Sequence, residues 1–154
     1  MNLVIGSNSK LVKKLSLGKE FDLCSHKDIK NINFDIYNEI YIFSYSKNFK
    51  ENKNFLCKLP LEKAVYISTV AVFSKLLRSQ PFSYPNVKSF GEDLVLEKGG
   101  KIVRFGFFDF SKIPHGYRHP LTTIDMLEEY INDINKPSIK NLFQIRNNSK
   151  KIKP

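Results

Sequence analysis

The chain has 154 residues, enough to close one hydrophobic core of ordinary domain size. Apolar residues make up 42% of it and charged residues 26%, the proportions of a folded globular chain rather than a disordered one. No run approaches the roughly 18 apolar residues of a membrane-spanning helix. Lys and Arg number 25 against 15 Asp and Glu, a net charge of +10. Six of those positive charges (Lys136, Lys140, Arg146, Lys150, Lys151, Lys153) fall in a carboxyl-terminal stretch with no acid. The expected organisation is one domain over 1–145 followed by a solvated basic tail over 146–154. Charge alone could draw anionic partners, but no aromatic–basic platform or recognition-helix motif points to nucleic acid. Met1–Ile5 runs straight into a strand-like segment with no basic stretch before a secretory one, so a cytoplasmic protein is expected.

In chain order, Asn2–Ile5 reads as a short strand closed by Gly6. A helical pattern follows in Leu11, Val12, Leu15 and Leu17, with Gly18 placed to stop it. Phe21–Ser25 is a second strand. Glu39–Ser44 is nearly continuous in apolar character, as a strand covered on both faces should be. Lys63–Phe73 is the strongest strand signal in the chain. Pro85–Lys98 reads as a helix with Val87, Phe90, Leu94 and Val95 on one side and Gly99-Gly100 at its end. Ile102–Phe108 is the next strand. Thr123–Ile134 reads as an amphipathic helix, because Ile124, Leu127, Ile131 and Ile134 recur every three or four residues. Leu142–Ile145 is a last strand. This alternation predicts an α/β fold, a mostly parallel sheet with helices on both faces. The segment Lys27–Asn38 is too short for a helix, strand and helix, so a reduced sheet is expected there.

Cys24 and Cys57 lack the CxxC spacing, and with His26, His115 and His119 they make a poor zinc set, so no metal site is expected. Cys24 sits in an apolar run and reads as a small buried side chain.

Two constellations carry chemistry. The first is the strand-turn-helix Leu3-Val4-Ile5-Gly6-Ser7-Asn8-Ser9-Lys10-Leu11-Val12. Gly6 allows a sharp turn, and the amides from Gly6 through Ser7, Asn8, Ser9, Lys10 and Leu11 could face a pyrophosphate at a helix start. The second is Tyr84-Pro85-Asn86-Val87-Lys88, a YxxxK pair whose spacing of four puts both side chains on one helical face. Lys88 beside Tyr84 would favour the phenolate and so lower a pKa near 10. Fifteen residues before Tyr84, Ser68-Thr69 bring hydroxyls to the strand KAVYISTVAVF.

The order VYISTVAVF, SYPNVKSFGEDLV, KIVRFGFF resembles the extended short-chain dehydrogenase/reductases, the nucleotide-sugar epimerases, dehydratases and reductases. His119–Leu127, with Asp125 opening a late helix, and the closing strand Asn141–Ile145 extend the resemblance over most of the chain. The resemblance implies a Rossmann-like fold and a catalytic triad of Thr69, Tyr84 and Lys88. It places Gly6, Ser7, Asn8, Ser9, Lys10 and Leu11 along the cofactor pyrophosphate, Ser44 beside its ribose and Lys88 on the nicotinamide ribose. His26 and Lys27 fall where a cation suits a 2′-phosphate, with Asp28 as the competing acid, so NADP is favoured slightly over NAD. Substrate contacts are expected from Ser68, Phe107 and Arg118. The implied activity is NAD(P)-dependent oxidation, reduction or epimerisation of a nucleotide-linked sugar, as in polysaccharide biosynthesis, in a homodimer.

The chain departs from that pattern in three ways. Ser9 and Val12 stand where the fingerprint has its second and third glycines. Phe107 stands where an Asn often touches the sugar nucleotide. The chain has about half the family's usual length, at the expense of the substrate-binding portion. The departures support an alternative: a non-catalytic Rossmann-fold protein that keeps nucleotide or partner binding.

Overall fold

The computed structural model describes the backbone of residues 1–76, 83–108 and 118–147, and the side chains of 1–73, 86–108 and 120–145. Six strands form a parallel sheet in the order β2-β1-β3-β4-β5-β8. They are β1 (Asn2–Ile5), β2 (Phe21–Cys24), β3 (Ile40–Ile42), β4 (Ala64–Thr69), β5 (Lys101–Phe105) and β8 (Ile139–Leu142). Among the described residues four helices flank it: α1 (Lys10–Lys13), α2 (Phe49–Cys57), α3 (Ser83–Glu97) and α4 (Ile124–Asn132). A second sheet is made of β6 (Phe107–Phe108), β7 (Arg118–Thr122) and β9 (Gln144–Asn147). The fold is α/β and Rossmann-like, as the alternation of elements predicts. Among the described residues no helix is long and apolar enough to cross a membrane.

Strand alternation sorts the core into two layers. Leu3, Ile5, Ile40, Ile42, Tyr66 and Ile102 face Leu56 of α2 and Val95 of α3. Val4, Tyr41, Val65, Ile67 and Val103 face Val12 of α1 and Leu127 and Ile131 of α4. Each fully buried aliphatic side chain contributes roughly 1.5–3 kcal/mol. With both faces covered, the strands read as unbroken apolar runs, which is why they are visible in the sequence.

Several elements differ from the sequence expectations. The strand expected over Lys63–Phe73 ends at Thr69, where the chain tightens into a 3₁₀ turn over Val70–Leu76. The strand expected over Ile102–Phe108 breaks at Gly106, and its two parts join different sheets. Ile134 is 91% exposed beyond the end of α4. The helix expected through Leu17 is one turn long. Residues 26–36 hold two 3₁₀ turns, His26–Asn31 and Phe34–Ile36, in place of a helix and strand, so β2 is the edge of a reduced sheet. Cys24 is half-buried rather than fully buried, and burial followed by the charge of Asp28 raises its thiol pKa. The closing segment forms two strands, and β9 pairs Arg146 with His119 and Asn147 with Arg118, two residues beyond the expected start of the tail. Residues 148–154 lie outside the described residues.

Candidate functional site

The chain leaves β1 toward β2 on one side and returns to β3 on the other, so the sheet order reverses at β1. In open α/β sheets ligands bind at the carboxyl ends of the strands beside such a reversal. Gly6 lies there with φ +116°, a conformation L side chains rarely adopt. A Cβ at Gly6 would stand 3.0 Å from both Phe43 Cβ and Ser44 Oγ, so glycine also permits β1 and β3 to run close together where they end.

The turn after Gly6 is more self-contained than the sequence suggests. Gly6 N–H and Ser7 N–H both donate to the Cys24 carbonyl, at 2.9 and 3.1 Å. Ser9 N–H donates to Gly6 O at 2.8 Å, and Leu11 N–H to Ser9 Oγ at 3.2 Å. Four of the six amides from Gly6 to Leu11 are therefore engaged within the chain. Only the four residues of α1 align their peptide dipoles behind this turn, too few for a strong field.

The opposite wall is a charged network with little water access. Gly91 lets α3 lie close on β4, since a methyl there would run into the Tyr66 phenol. That approach buries Lys88 and Glu92, each 4% exposed and one helical turn apart. Lys88 Nζ donates to Ile67 O at 2.8 Å and lies 4.5 Å from the Tyr45 ring centroid and 5.0 Å from that of Tyr66. Burial pushes its pKa down to about 7, against the opposing pull of the Glu92 carboxylate. Glu92 accepts from Ser68 Oγ at 2.5 Å and from Arg104 Nη2 and Nε at 2.7 and 3.0 Å. Arg104 reaches on to Asn141 Oδ1 at 3.4 Å, tying α3, β4, β5 and β8 together. Thr69, at the last position of β4, accepts from Ala71 N–H at 3.2 Å where the 3₁₀ turn begins.

Ser9, Leu11, Ser68, Thr69 and Lys88 come together on one cleft of about 260 Å³, with Phe43, Tyr45, Phe105 and Phe108. A neighbouring cleft of about 430 Å³ is lined by His26, Ser44, Tyr45, Lys47 and Phe55. Two larger clefts are present, the first of which shares His26, Glu51 and Phe55 with the cleft of about 430 Å³. One of about 710 Å³ covers the 3₁₀ turns and includes His26 and Lys27, and one of about 510 Å³ sits against α4 and β8. Size alone does not mark the site, because the smaller pair holds the strand ends and the polar groups.

The remaining expected residues separate. Ser7, Asn8 and Lys10 belong to the turn and the start of α1 without lining either of the two smaller clefts. Phe107 is 53% exposed on β6, outside the cleft, and its neighbour Phe108 lines it instead, because alternate strand residues face opposite sides. Tyr84 lies in the first turn of α3 and Arg118 begins β7, but both side chains fall outside the described residues. His115 also lies outside them. Sequence reasoning passed over Tyr45, a loop residue with no motif around it, and gave Glu92 and Arg104 no role beyond a place in the pattern. Among the described residues no cluster of His, Cys, Asp and Glu could hold a metal ion.

No protein-family model matches the chain, and no curated protein matches it. Solved structures do. L-threonine 3-dehydrogenase from Trypanosoma brucei superposes with a TM-score of 0.67 at 9% identity, over 97% of this chain and 77% of that one. The capsular polysaccharide assembling protein CapF from Staphylococcus aureus gives 0.62 at 12% identity, over 95% of this chain and 54% of that one. The NAD-dependent NDP-hexosamine 5,6-dehydratase TunA, involved in tunicamycin biosynthesis, gives 0.59 at 14% identity, over 93% of this chain and 75% of that one. The chain thus has the fold of NAD(P)-dependent dehydrogenases, reductases, epimerases and dehydratases, and spans about half of CapF.

Proposed function

We infer that this chain is a member of the extended short-chain dehydrogenase/reductase family that binds a nicotinamide dinucleotide along the carboxyl ends of β1, β3 and β4. The observation that carries this reading is the convergence of Ser9, Thr69 and Lys88 on one cleft beside the Gly6 turn. In this reading residues 1–145 act as one nucleotide-binding unit. The bound cofactor supplies hydride transfer. The Tyr84 phenol gives or takes the proton of a sugar hydroxyl or carbonyl, Thr69 Oγ1 holds that oxygen, and the Lys88 ammonium favours the phenolate and holds the ribose. His26 and Lys27, at the start of the first 3₁₀ turn, favour a 2′-phosphate and hence NADP. Ser68 and Arg118 serve a polar, nucleotide-linked sugar substrate of polysaccharide assembly, and the working form is a cytoplasmic homodimer.

One observation favours the second reading, a Rossmann-fold protein that binds without turnover. The single turn of α1 and its engaged amides leave little to hold a pyrophosphate. Calorimetric titration with NAD, NADH, NADP and NADPH tests the first reading, and absence of binding at millimolar concentration would overturn it. Where turnover of a nucleotide-linked sugar is found, Tyr84→Phe should lower kcat by about 10²–10⁴ with cofactor affinity nearly unchanged. Binding without turnover, in wild type and Tyr84→Phe alike, selects the second reading.

A further inference from the structure

Lys88 is a buried cation with an incomplete set of partners. It is 4% exposed, and the Ile67 carbonyl takes one of its protons at 2.8 Å. The ring faces of Tyr45 and Tyr66 flank it at 4.5 and 5.0 Å from their centroids. The carboxylate one turn along the helix, Glu92, is held by Arg104 Nη2 and Nε and by the Ser68 hydroxyl. Buried charges persist when paired and hydrogen-bonded, yet among the described residues no Asp or Glu lines the cleft that Lys88 lines.

Two hydroxyls line the same cleft from different elements, Ser9 at the start of α1 and Thr69 at the end of β4. Each accepts a backbone N–H from two residues on, Ser9 Oγ from Leu11 and Thr69 Oγ1 from Ala71, both at 3.2 Å. A hydroxyl whose oxygen is engaged in this way still has its proton to give. Ser68 lines the cleft too, but its proton goes to Glu92. Ser9, Thr69 and Lys88 thus offer a ligand two hydroxyl donors and one cation, beside apolar walls made by Leu11, Phe43, Ile67, Phe105 and Phe108.

We propose that this cleft binds a small monocarboxylate with an apolar body, whose carboxylate oxygens accept from Lys88 Nζ and from the Ser9 and Thr69 hydroxyls. One cation matches one negative charge, and hydrogen bonds to an ionised group are roughly twice as strong as neutral ones. Inorganic phosphate has more oxygens than these three donors satisfy and no apolar body to cover the aromatic walls. The Gly6 and Ser7 amides that could serve its further oxygens are bonded to the Cys24 carbonyl. A volume of about 260 Å³ lies below the range of drug-sized pockets, so the body is small. The site goes beyond the nucleotide reading and does not rest on it.

The test titrates the full chain calorimetrically with benzoate, benzamide and inorganic phosphate at pH 6. Burial brings the Lys88 pKa down to about 7, so the ammonium is present there. Benzoate should bind roughly 10- to 150-fold more tightly than benzamide, which has the same ring without the charge. It should also bind at least about tenfold more tightly than phosphate, which has charge without the apolar body. Lys88→Met should lose roughly 10- to 150-fold in benzoate affinity and Thr69→Val about tenfold. Lys140→Met, on β8 outside the cleft, should stay within about twofold of wild type. Benzoate no tighter than benzamide, phosphate as tight as benzoate, or benzoate affinity unchanged in Lys88→Met overturns the site. The three wild-type titrations decide it even where a variant fails to fold. NADP is titrated in parallel: benzoate binding without NADP binding overturns the nucleotide reading and leaves the carboxylate site standing, and NADP binding without benzoate binding does the reverse.

Discussion

On the amino side of the crevice, Gly6 turns the chain beneath Ser44 and the helix that follows ends after four residues. On the carboxyl side, the fifteen residues of α3 carry Lys88 and Glu92 into the sheet, where Ser68 and Arg104 meet them. The first side is held by strand packing and backbone turns, with its polar groups bonded to one another. The second holds buried charges, which persist in a protein interior only when paired and hydrogen-bonded. Of the two sides it is the second that carries buried charge, where a proton-transfer group and a ribose-holding cation are proposed, while the first ends in a helix of one turn.

The largest expected effect comes from breaking that charged wall. Glu92 and Arg104 form a two-toothed pair whose side chains are 5% and 14% exposed. Arg104→Met leaves the Glu92 carboxylate buried with Ser68 as its remaining hydrogen-bond partner among the described residues and Lys88 one turn away, and loss of one member of a buried pair costs about 3–5 kcal/mol. Replacing both, as Glu92→Leu with Arg104→Met, should recover most of that loss. Urea denaturation of the two variants decides it. A loss under about 1 kcal/mol in Arg104→Met, the range of a solvent-exposed pair, would show that the network is not holding this side.

The same contrast explains what could be read from the sequence. Strands such as Ile40–Ile42 and Ala64–Thr69 are legible because burial on both faces writes unbroken apolar runs. The helix α2 escapes notice because only Asn52 and Leu56 are buried in a polar segment, FKENKNFLC. The end of β4 was invisible for the opposite reason: Val70, Ala71 and Val72 continue the apolar run, yet the chain turns after Thr69. Of the candidate site, Thr69 and Lys88 were found through YxxxK and its upstream hydroxyls. Tyr45 belongs to no motif, and Phe108 closes the segment KIVRFGFF without a role read for it, so only the folded backbone brings them to the cleft. Two of the four engaged amides of the Gly6 turn, those of Gly6 and Ser7, depend on the Cys24 carbonyl, a tertiary contact that no local spacing encodes.

The next effect is a pH dependence carried by Lys88. Its pKa falls from 10.5 to about 7 on folding, chiefly through burial. Between these values the unfolded chain binds a proton that the folded chain does not, so stability rises with pH, by at most about 1.4 kcal/mol per unit for one group. Below pH 7 both states are protonated and the cost of the buried charge is fully present. Above pH 10 the slope reverses, because the raised phenols of Tyr37, Tyr41 and Tyr130 ionise only in the unfolded chain. The urea midpoint of the wild type should therefore be higher at pH 9 than at pH 7. Lys88→Met should flatten that rise, and an equal rise in the variant would assign it to other groups.

The smallest effect belongs to the amino side and tests whether it is held by backbone geometry. Gly6→Ala keeps the surface of the turn but forces a Cβ onto φ +116°, 3.0 Å from Phe43 Cβ and Ser44 Oγ. A side chain held in such a sparsely populated conformation costs about 1–3 kcal/mol. Relief requires β1 to move away from the end of β3, which would stretch the bonds from Gly6 and Ser7 N–H to the Cys24 carbonyl as well. The expected loss in urea denaturation is thus smaller than for Arg104→Met and independent of pH between 7 and 9, since no titrating group is disturbed. Hydrogen exchange should report faster opening at Gly6 and Ser7, with protection in α3 nearly unchanged. If α3 instead loses protection in step with the turn, the two sides unfold as one unit, and the separation between a backbone-held side and a charge-held side does not stand.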